Sequence, residues 1–467
     1  MNRAASTFAS IAKLLAGALH GRRGNVAIIS CFVIVPLVFL AGMGVDYTLA
    51  TRRQDQINGF ADAAALAAVT PSMMNQSPAN AQAAAQAMFL SQLATVSNVA
   101  YSPGNISITA TDTGTGTTVN RVITVSYSAT STNYFAGVLG VGAIPISGSA
   151  SAKSSVAPKI DFYMLLDTSP SMEIAATTTG INTMVSNTSP QGGCAFGCHE
   201  SNPASDNLRN PANITCVGQT TPSFPTGGED NYALARCLNV TLRIDLVNQA
   251  TQQLMSVAQT TALQNYTDYR AAIYTMDYNV NSLIGITDVS TSSGLNALQA
   301  AAANISAVEV YNNGCLTTSI CNNDEDSYLD SSLSNLNSAM PNPGNGTSNT
   351  GDTPQEVLFI VTDGVNDELY NGNRVMAPIN TVLVNPDYCT KIKSRNIRIA
   401  FLYLTYYPLP TNSFYNSNIA PFQSQIATDA QNCASPGLFF QVSTDGDITA
   451  AMTALFQKAV ATAHLTQ

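Results

Sequence analysis

Asp167, Ser169 and Ser171 stand on alternate positions in the stretch DTSPSM, residues 167–172. One carboxylate and two hydroxyls are hard oxygen donors. Alternate residues leaving the end of a strand can converge on one point, and such a set suits Mg²⁺, which keeps positions open for water or a ligand. Asp363 offers a second carboxylate far downstream, in the TDG run 362–364. The bland alternatives are a Ser-rich turn and an Asp-Gly turn, because these residues favour turns anyway. Competing chemistries lack their residues. His199 is the one histidine besides His20 and His464, so no Ser-His-Asp set can be assembled. There is no P-loop, no H-E-x-x-H and no Gly-rich dinucleotide loop after a strand. A metal-assisted hydrolase would also need a base or nucleophile beside the ion. The run CAFGCH, Cys194 to His199, is one residue too long for c-type haem attachment, and a structural disulfide explains it better than haem or zinc.

The elements that must hold these residues can be read around them. Phe162 to Leu166 is a short apolar run of the kind that forms a buried parallel strand, and Val357 to Thr362 (VLFIVT) is another. Between them, Leu234, Leu238, Leu242, Leu246, Ala250 and Leu254 predict one long helix over 232–262. Strands are expected at 270–276 and 282–286, and helices at 295–305 and 328–340. After Asp363, residues 366–385 read as a loop or short helix and 389–396 as a helix. A strand at 397–404, a Tyr- and Pro-rich loop at 405–420, a helix at 422–433, a strand at 437–442 and an amphipathic helix at 445–463 complete the chain. Alternation of this kind predicts an α/β fold with a doubly wound, mostly parallel sheet and helices on both faces. Such sheets bind ligands at the carboxyl ends of their strands, where both aspartates fall. Two polar stretches, 177–229 and 312–326, read as surface insertions.

The chain of 467 residues is too long for one ordinary core. Its 10% of charged residues is low, with Asn, Ser, Thr and Ala filling the surface, which suits an exported protein. Residues 1–53 hold six basic groups and one acidic group, leaving thirteen basic against twenty-eight acidic beyond. No basic patch remains to track a phosphate backbone, so nucleic acid is not expected as a partner. Val26 to Val45 carries no charge and is long enough to span a bilayer as a helix. Four basic residues precede it and Arg52 and Arg53 follow closely, so the positive-inside rule places the N-terminus in the cytoplasm and the bulk outside. An uncleaved anchor is preferred to a signal peptide because the run is long and no small-x-small site follows at once. Ala-rich helices are expected next, with Ile57, Phe60, Ala64 and Ala68 at helical spacing and a second helix over 79–94. Alternating strands follow within 105–154, the third of them weak. Eight cysteines lie beyond the apolar run: Cys194, Cys198, Cys216, Cys237, Cys315, Cys321, Cys389 and Cys433. An even number there predicts disulfides in an oxidising compartment. Cys194/Cys198, Cys315/Cys321 and Cys389/Cys433 are candidate pairs, and the connectivity stays open.

Two resemblances gather these features. DTSPSM followed downstream by a strand and TDG resembles the von Willebrand factor A (VWA) domain, whose metal-ion-dependent adhesion site (MIDAS) uses D-x-S-x-S and a later aspartate. The resemblance implies a divalent cation, chiefly Mg²⁺ with Mn²⁺ or Ca²⁺ as alternatives, held by Asp167, Ser169, Ser171 and Asp363 directly or through water. An acidic side chain from a partner protein would complete the coordination. The family also takes a threonine from a loop before a helix. Here the chain departs from the pattern, and Ser327 is the candidate, with Thr347 and Thr353 as rivals. Residues 24–69 resemble the N-terminal segment of TadE/TadG-type proteins of tight-adherence (Tad) pilus assembly. The matching features are Gly24-Asn25, Pro36 inside the apolar run, Gly44-Val45-Asp46-Tyr47 and Asp62-Ala-Ala-Ala. Asn25 and the missing glutamate further on argue against cleavage after Gly24 by a prepilin peptidase.

Together these imply a single-pass protein of the bacterial inner membrane. Residues 1–24 would form a cytoplasmic basic segment, 25–46 the transmembrane anchor and 47–100 an Ala-rich helical segment. Residues 101–157 would form a small β-rich linking module and 158–467 the VWA domain, periplasmic or surface-exposed. Its partners would be other pilus-assembly or envelope proteins, and its role non-enzymatic. A metal-free structural scaffold is the alternative, and a metal-dependent hydrolase a weaker one.

Overall fold

The computed structural model describes residues 24–114, 119–205, 207–223, 228–347, 351–380 and 387–463. The basic segment before Gly24, and with it His20, lies outside the described residues, as does His464. The chain forms two compact units, residues up to Thr113 with Val119–Ser155, and the remainder from Val156.

The first unit begins with α1, Gly24–Ala67, a continuous helix with Pro36 inside it. Phe32, Val33, Ile34, Val35, Leu37, Val38 and Leu40 are each more than half exposed, so among the described residues little packs around this part of the helix. Among the described side chains a buried face starts at Gly42 and Asp46 and continues through Ala50, Ile57, Ala61 and Ala64 at helical spacing. After the single turn α2, Pro71–Met74, comes α3, Pro78–Leu93. Pro78 stands in its first turn and Ser77 caps it, accepting from the Asn80 N–H. Ala81, Ala85, Phe89 and Leu93, four apart, bury one stripe.

These helices pack on an antiparallel sheet of β1 (Val99–Ala100), β2 (Ile106–Thr113), β3 (Asn120–Thr132) and β4 (Ala143–Ser155). The central β3 pairs with β1 and β2 along one edge and with β4 along the other. Its residues alternate between buried and more exposed, the period-two pattern of a sheet with one face covered. The third strand, weak in sequence, pairs along its full thirteen residues because β3 templates it from Ala143 to Ser155. Arg121 is buried and makes a bidentate pair with Asp112, its cross-strand neighbour. Its remaining N–H groups donate to the Met73 and Gln76 carbonyls, which ties the end of α2 to the sheet.

The second unit is a six-stranded sheet in the order β12-β11-β8-β5-β6-β7. Its strands are β5 (Ile160–Asp167), β6 (Tyr269–Met276), β7 (Val280–Asp288), β8 (Gln355–Thr362), β11 (Arg398–Leu404) and β12 (Phe439–Val442). All neighbours are parallel except the edge strand β7, which runs antiparallel to β6. Every residue of β5 and β8 is buried, as central strands covered on both faces require. One face packs under α4 (Thr178–Asn187), α5 (Asn231–Cys237), α6 (Arg243–Asn265), α7 (Ser292–Ala302) and α11 (Ile448–Ala463). The other packs under α8 (Leu329–Ala339), α9 (Tyr388–Ser394) and α10 (Gln423–Cys433). This is the VWA-like α/β fold.

Three expectations are corrected. The helix over 232–262 is two helices. The chain breaks at Asn239, whose φ of 54° is left-handed, and Asp245 restarts it by accepting from the Leu242 N–H. Residues 366–378 are an antiparallel hairpin, β9 (Val365–Tyr370) and β10 (Asn373–Pro378). Asn371 and Gly372 both have positive φ, the two-residue turn that Asn-Gly favours. Disulfides join Cys216–Cys237, Cys315–Cys321 and Cys389–Cys433, but Cys194 and Cys198 remain thiols. The Cys194 thiol is held below its ordinary pKa because Cys198 donates to it. Cys198 is pushed up by that same bond and by burial.

Candidate functional site

The parallel pairing of β5 with β8 brings the two strand ends side by side. The register runs Leu165 to Ile360 and Leu166 to Val361, so Asp167 leaves the sheet next to Thr362 and Asp363. After Asp167 the chain enters a 3-10 turn at Pro170, with Ser169 extended before it. Pro170 fixes this turn and offers no N–H that would need a partner.

The Asp167 carboxylate is fully buried and satisfied on both oxygens. Oδ1 accepts from the Ser169 N–H at 2.9 Å and the Ser169 hydroxyl at 2.6 Å. Oδ2 accepts from the Thr362 hydroxyl at 2.5 Å. The Ser169 and Ser171 hydroxyls lie 3.1 Å apart. Asp363 is also fully buried. One oxygen accepts from the Val365 N–H at 3.2 Å, and Oδ2 has no hydrogen-bond partner among the described residues. Of the four residues, only Ser171 is partly exposed, so solvent reaches the cluster past Ser171.

Burial and the neighbouring Asp363 charge push the Asp167 carboxyl up to about 7. Burial raises Asp363 as well, while the Ser171 hydroxyl and the Arg243 guanidinium pull it back. Two buried carboxylates within reach of each other, one with an orphaned oxygen, are the donor set a small hard cation satisfies. The residues present therefore fit a divalent ion: Asp167, Ser169, Ser171 and Asp363 would hold it. The ion would supply a fixed positive charge with room for an outside ligand.

Ser327 does not join them. Its backbone bridges to Asp367 and its hydroxyl donates to the Val365 carbonyl at 3.1 Å. It lies beside the start of β9, and no hydrogen bond links it to the four site residues among the described residues. Thr347 and Thr353 are excluded by position. They stand before β8, where Thr347 bonds Asp352 and Thr353 bonds the Asn342 carbonyl. Eight strand residues separate them from the carboxyl end, roughly 25 Å at a strand's rise.

Two members went unread in the sequence. Thr362 belongs to the TDG run but enters as a donor to Asp167 rather than as a ligand. Arg243 is buried at the head of α6, where it donates to the Thr405 carbonyl at 2.7 Å and to the Thr444 hydroxyl at 3.3 Å. The signal available was a basic residue on an apolar helix face, in step with Val247, Ala250 and Leu254. Asp326, raised to about 6 by burial, accepts from the Asn322 amide, and Arg374 pairs with Asp367.

Residues 24–87 match the family described as "Putative Flp pilus-assembly TadE/G-like". No curated protein matches the sequence. Among solved structures, the chain is similar to the pilus adhesin SpaC of Lactobacillus rhamnosus GG, at 14% identity and a TM-score of 0.35, over 78% of this chain and 35% of that one. It therefore spans about a third of the length of that adhesin. It is similar to the vWF domain of the type V pili tip protein Mfa5 of Porphyromonas gingivalis, at 9% identity and a TM-score of 0.34, over 65% of this chain and 96% of that one. A third likeness is to proximal thread matrix protein 1 of the mussel byssus, solved with a zinc-occupied MIDAS motif. It has 12% identity and a TM-score of 0.30, over 65% of this chain and 46% of that one. At these identities and scores the likenesses carry no functional weight.

Proposed function

We propose that the chain is a membrane-anchored, non-enzymatic component of a Tad-like pilus system that recognises protein partners through a divalent cation in its VWA-like domain. The observation that carries this reading is the unpartnered Oδ2 of Asp363 beside the buried Asp167 carboxylate. A buried charged oxygen with no donor is costly, and an ion at that point offsets the cost. Asp167, Ser169, Ser171 and Asp363 would hold the ion, most readily Mg²⁺, with Mn²⁺ or Ca²⁺ as substitutes. An acidic side chain of another pilus-assembly or envelope protein would approach past Ser171. The TadE/G-like segment supports the pilus assignment. The helix that includes Phe32–Ala67 is long and apolar enough to cross a membrane. It would anchor the protein in the bacterial inner membrane, with its N-terminus in the cytoplasm and its bulk in the periplasm or at the surface.

A second reading, a metal-free scaffold, also has an observation behind it. Protein donors already satisfy both Asp167 oxygens, and the Ser327 hydroxyl is committed to Val365. Calorimetric titration of Mn²⁺ into the full chain in detergent separates the two. The proposed function predicts saturable binding that is absent from the Asp167→Ala/Asp363→Ala variant. Heat that is the same for both proteins would leave the scaffold.

A further inference from the structure

The loop between β3 and β4 carries an apolar surface that the pilus and metal readings do not use. Residues 133–142 read NYFAGVLGVG, and no charged residue occurs from Asn133 to Ala152. Tyr134, Phe135, Val138 and Val141 are 56%, 44%, 76% and 53% exposed.

The loop is built rather than loose. The Asn133 N–H donates to the Gly142 carbonyl and its side-chain amide to the Val141 carbonyl, which closes the base. Asp46 of α1 accepts from the N–H groups of Tyr134, Phe135 and Ala136 at 2.8, 2.9 and 2.7 Å. Arg53 donates to the Ser131 hydroxyl and the Thr132 carbonyl, and its guanidinium lies 6.0 Å from the Tyr134 ring. Phe135 packs on Gly42, where an added Cβ would lie 2.6 Å from the ring.

The place where the loop attaches decides what covers it. Gly42 and Asp46 are the first buried residues of α1 after its bare apolar stretch. Phe135 therefore lies about one helical turn, ~6 Å, inside the end of the uncharged run. At the same level of α1, Leu40, Met43 and Val45 are likewise exposed apolar side chains. Apolar side chains seated to this depth, with a tyrosine and an arginine at the water side, match an element lying at the acyl–headgroup boundary. The three N–H donors give the Asp46 carboxylate its hydrogen bonds from protein at a depth where water is scarce. We infer that the 134–141 loop is a second membrane contact, inserted at the outer interface beside α1. The loop fixes how the sheet of the first unit meets the lipid surface. This inference rests on reading α1 as a bilayer-spanning helix.

The chain has no tryptophan, so a single introduced one reports its own surroundings. The full chain is reconstituted in phosphatidylcholine–phosphatidylglycerol liposomes as three variants. Val138→Trp reports the loop, Phe32→Trp reports α1, and Thr111→Trp reports an exposed position of β2. The expected result is blue-shifted emission from Val138→Trp that lipids brominated near the headgroup quench strongly. Phe32→Trp should be quenched by lipids brominated deeper in the chain, and Thr111→Trp only by iodide in the water. The inference is overturned if Phe32→Trp is quenched by lipid while Val138→Trp stays open to iodide. It is also overturned if Val138→Trp is shielded from iodide and bromolipid alike, because protein would then cover the loop. If Phe32→Trp escapes the bromolipids as well, the membrane reading of α1 fails and the loop contact fails with it.

Discussion

Asp363→Asn should make the protein more stable without divalent ions and abolish its response to them. The two effects have opposite signs, and only one arrangement of the site produces both. Asp363 is fully buried with Oδ2 unpartnered, and its carboxyl is raised by burial. Asparagine keeps an oxygen to accept from the Val365 N–H and removes the charge. A buried unsatisfied group costs roughly 1–3 kcal/mol, more when charged, so the ion-free variant should gain on that order. The wild-type protein recovers the cost differently. An ion at a hundred times its dissociation constant stabilises the folded state by about 2.7 kcal/mol. In a unit of more than 300 residues, at about 2.1 cal/mol/K of unfolding entropy per residue, that is a rise in Tm of roughly 4 °C. Melting of the full chain in detergent, followed by circular dichroism in EDTA and across a Mg²⁺ series, gives both numbers. A wild-type Tm that is the same in EDTA and Mg²⁺ would refute the ion reading. An Asp363→Asn protein less stable than wild type in EDTA would refute the premise that Oδ2 of this carboxylate lacks a partner.

Two further predictions concern charges remote from the site. Glu356 is buried at the opposite end of β8, paired in register with Asp161, and its carboxyl is pushed up to about 8 by burial and then by the Asp161 charge. A pKa raised in the folded state makes its stabilising contribution below the unfolded value near 4.5. The contribution is lost as pH rises through about 8. Glu356→Gln should therefore match wild type at low pH and exceed it by roughly 1–3 kcal/mol above the folded pKa, in urea unfolding at the two pH values. Arg121→Met should cost the first unit about 3–5 kcal/mol, because it strands Asp112 and leaves the Met73 and Gln76 carbonyls without their donors. Faster amide exchange in β2 and β3 with no change in β5 and β8 would show it, and unchanged protection in β2 and β3 would count against it.

Much of the fold could be read locally. The fully buried β5 and β8 announced themselves as unbroken apolar runs because a strand covered on both faces has no polar side to show. The alternation of β3 betrayed a sheet covered on one face for the same reason in reverse. The missed elements are those where a local signal was outvoted or unused. Leucines four apart run straight through Leu238 and Leu242, yet the left-handed Asn239 separates α5 from α6. Asn371-Gly372 is a strong hairpin signal inside a stretch otherwise read as loop or helix.

At the candidate site, the sequence by itself determined which side chains leave the two central strands: Asp167, Ser169 and Ser171 after one, Thr362 and Asp363 after the other. Strand length, turn chemistry and alternate spacing are properties of a few adjacent residues, so they survive without knowledge of the rest. Tertiary structure alone decided what those side chains meet. The pairing of β5 with β8 sets Thr362 against Asp167, and the packing of α6 brings Arg243 near Asp363. The Asp367 bridge turns the Ser327 hydroxyl to Val365, away from the role its place before a helix predicts. Likewise Asp46 ends an apolar run in the sequence, but its three donors come from a loop some ninety residues later. Each of these contacts depends on closing a long loop of chain in one register. That register is chosen by the summed burial of the whole core, and no short stretch of residues encodes it.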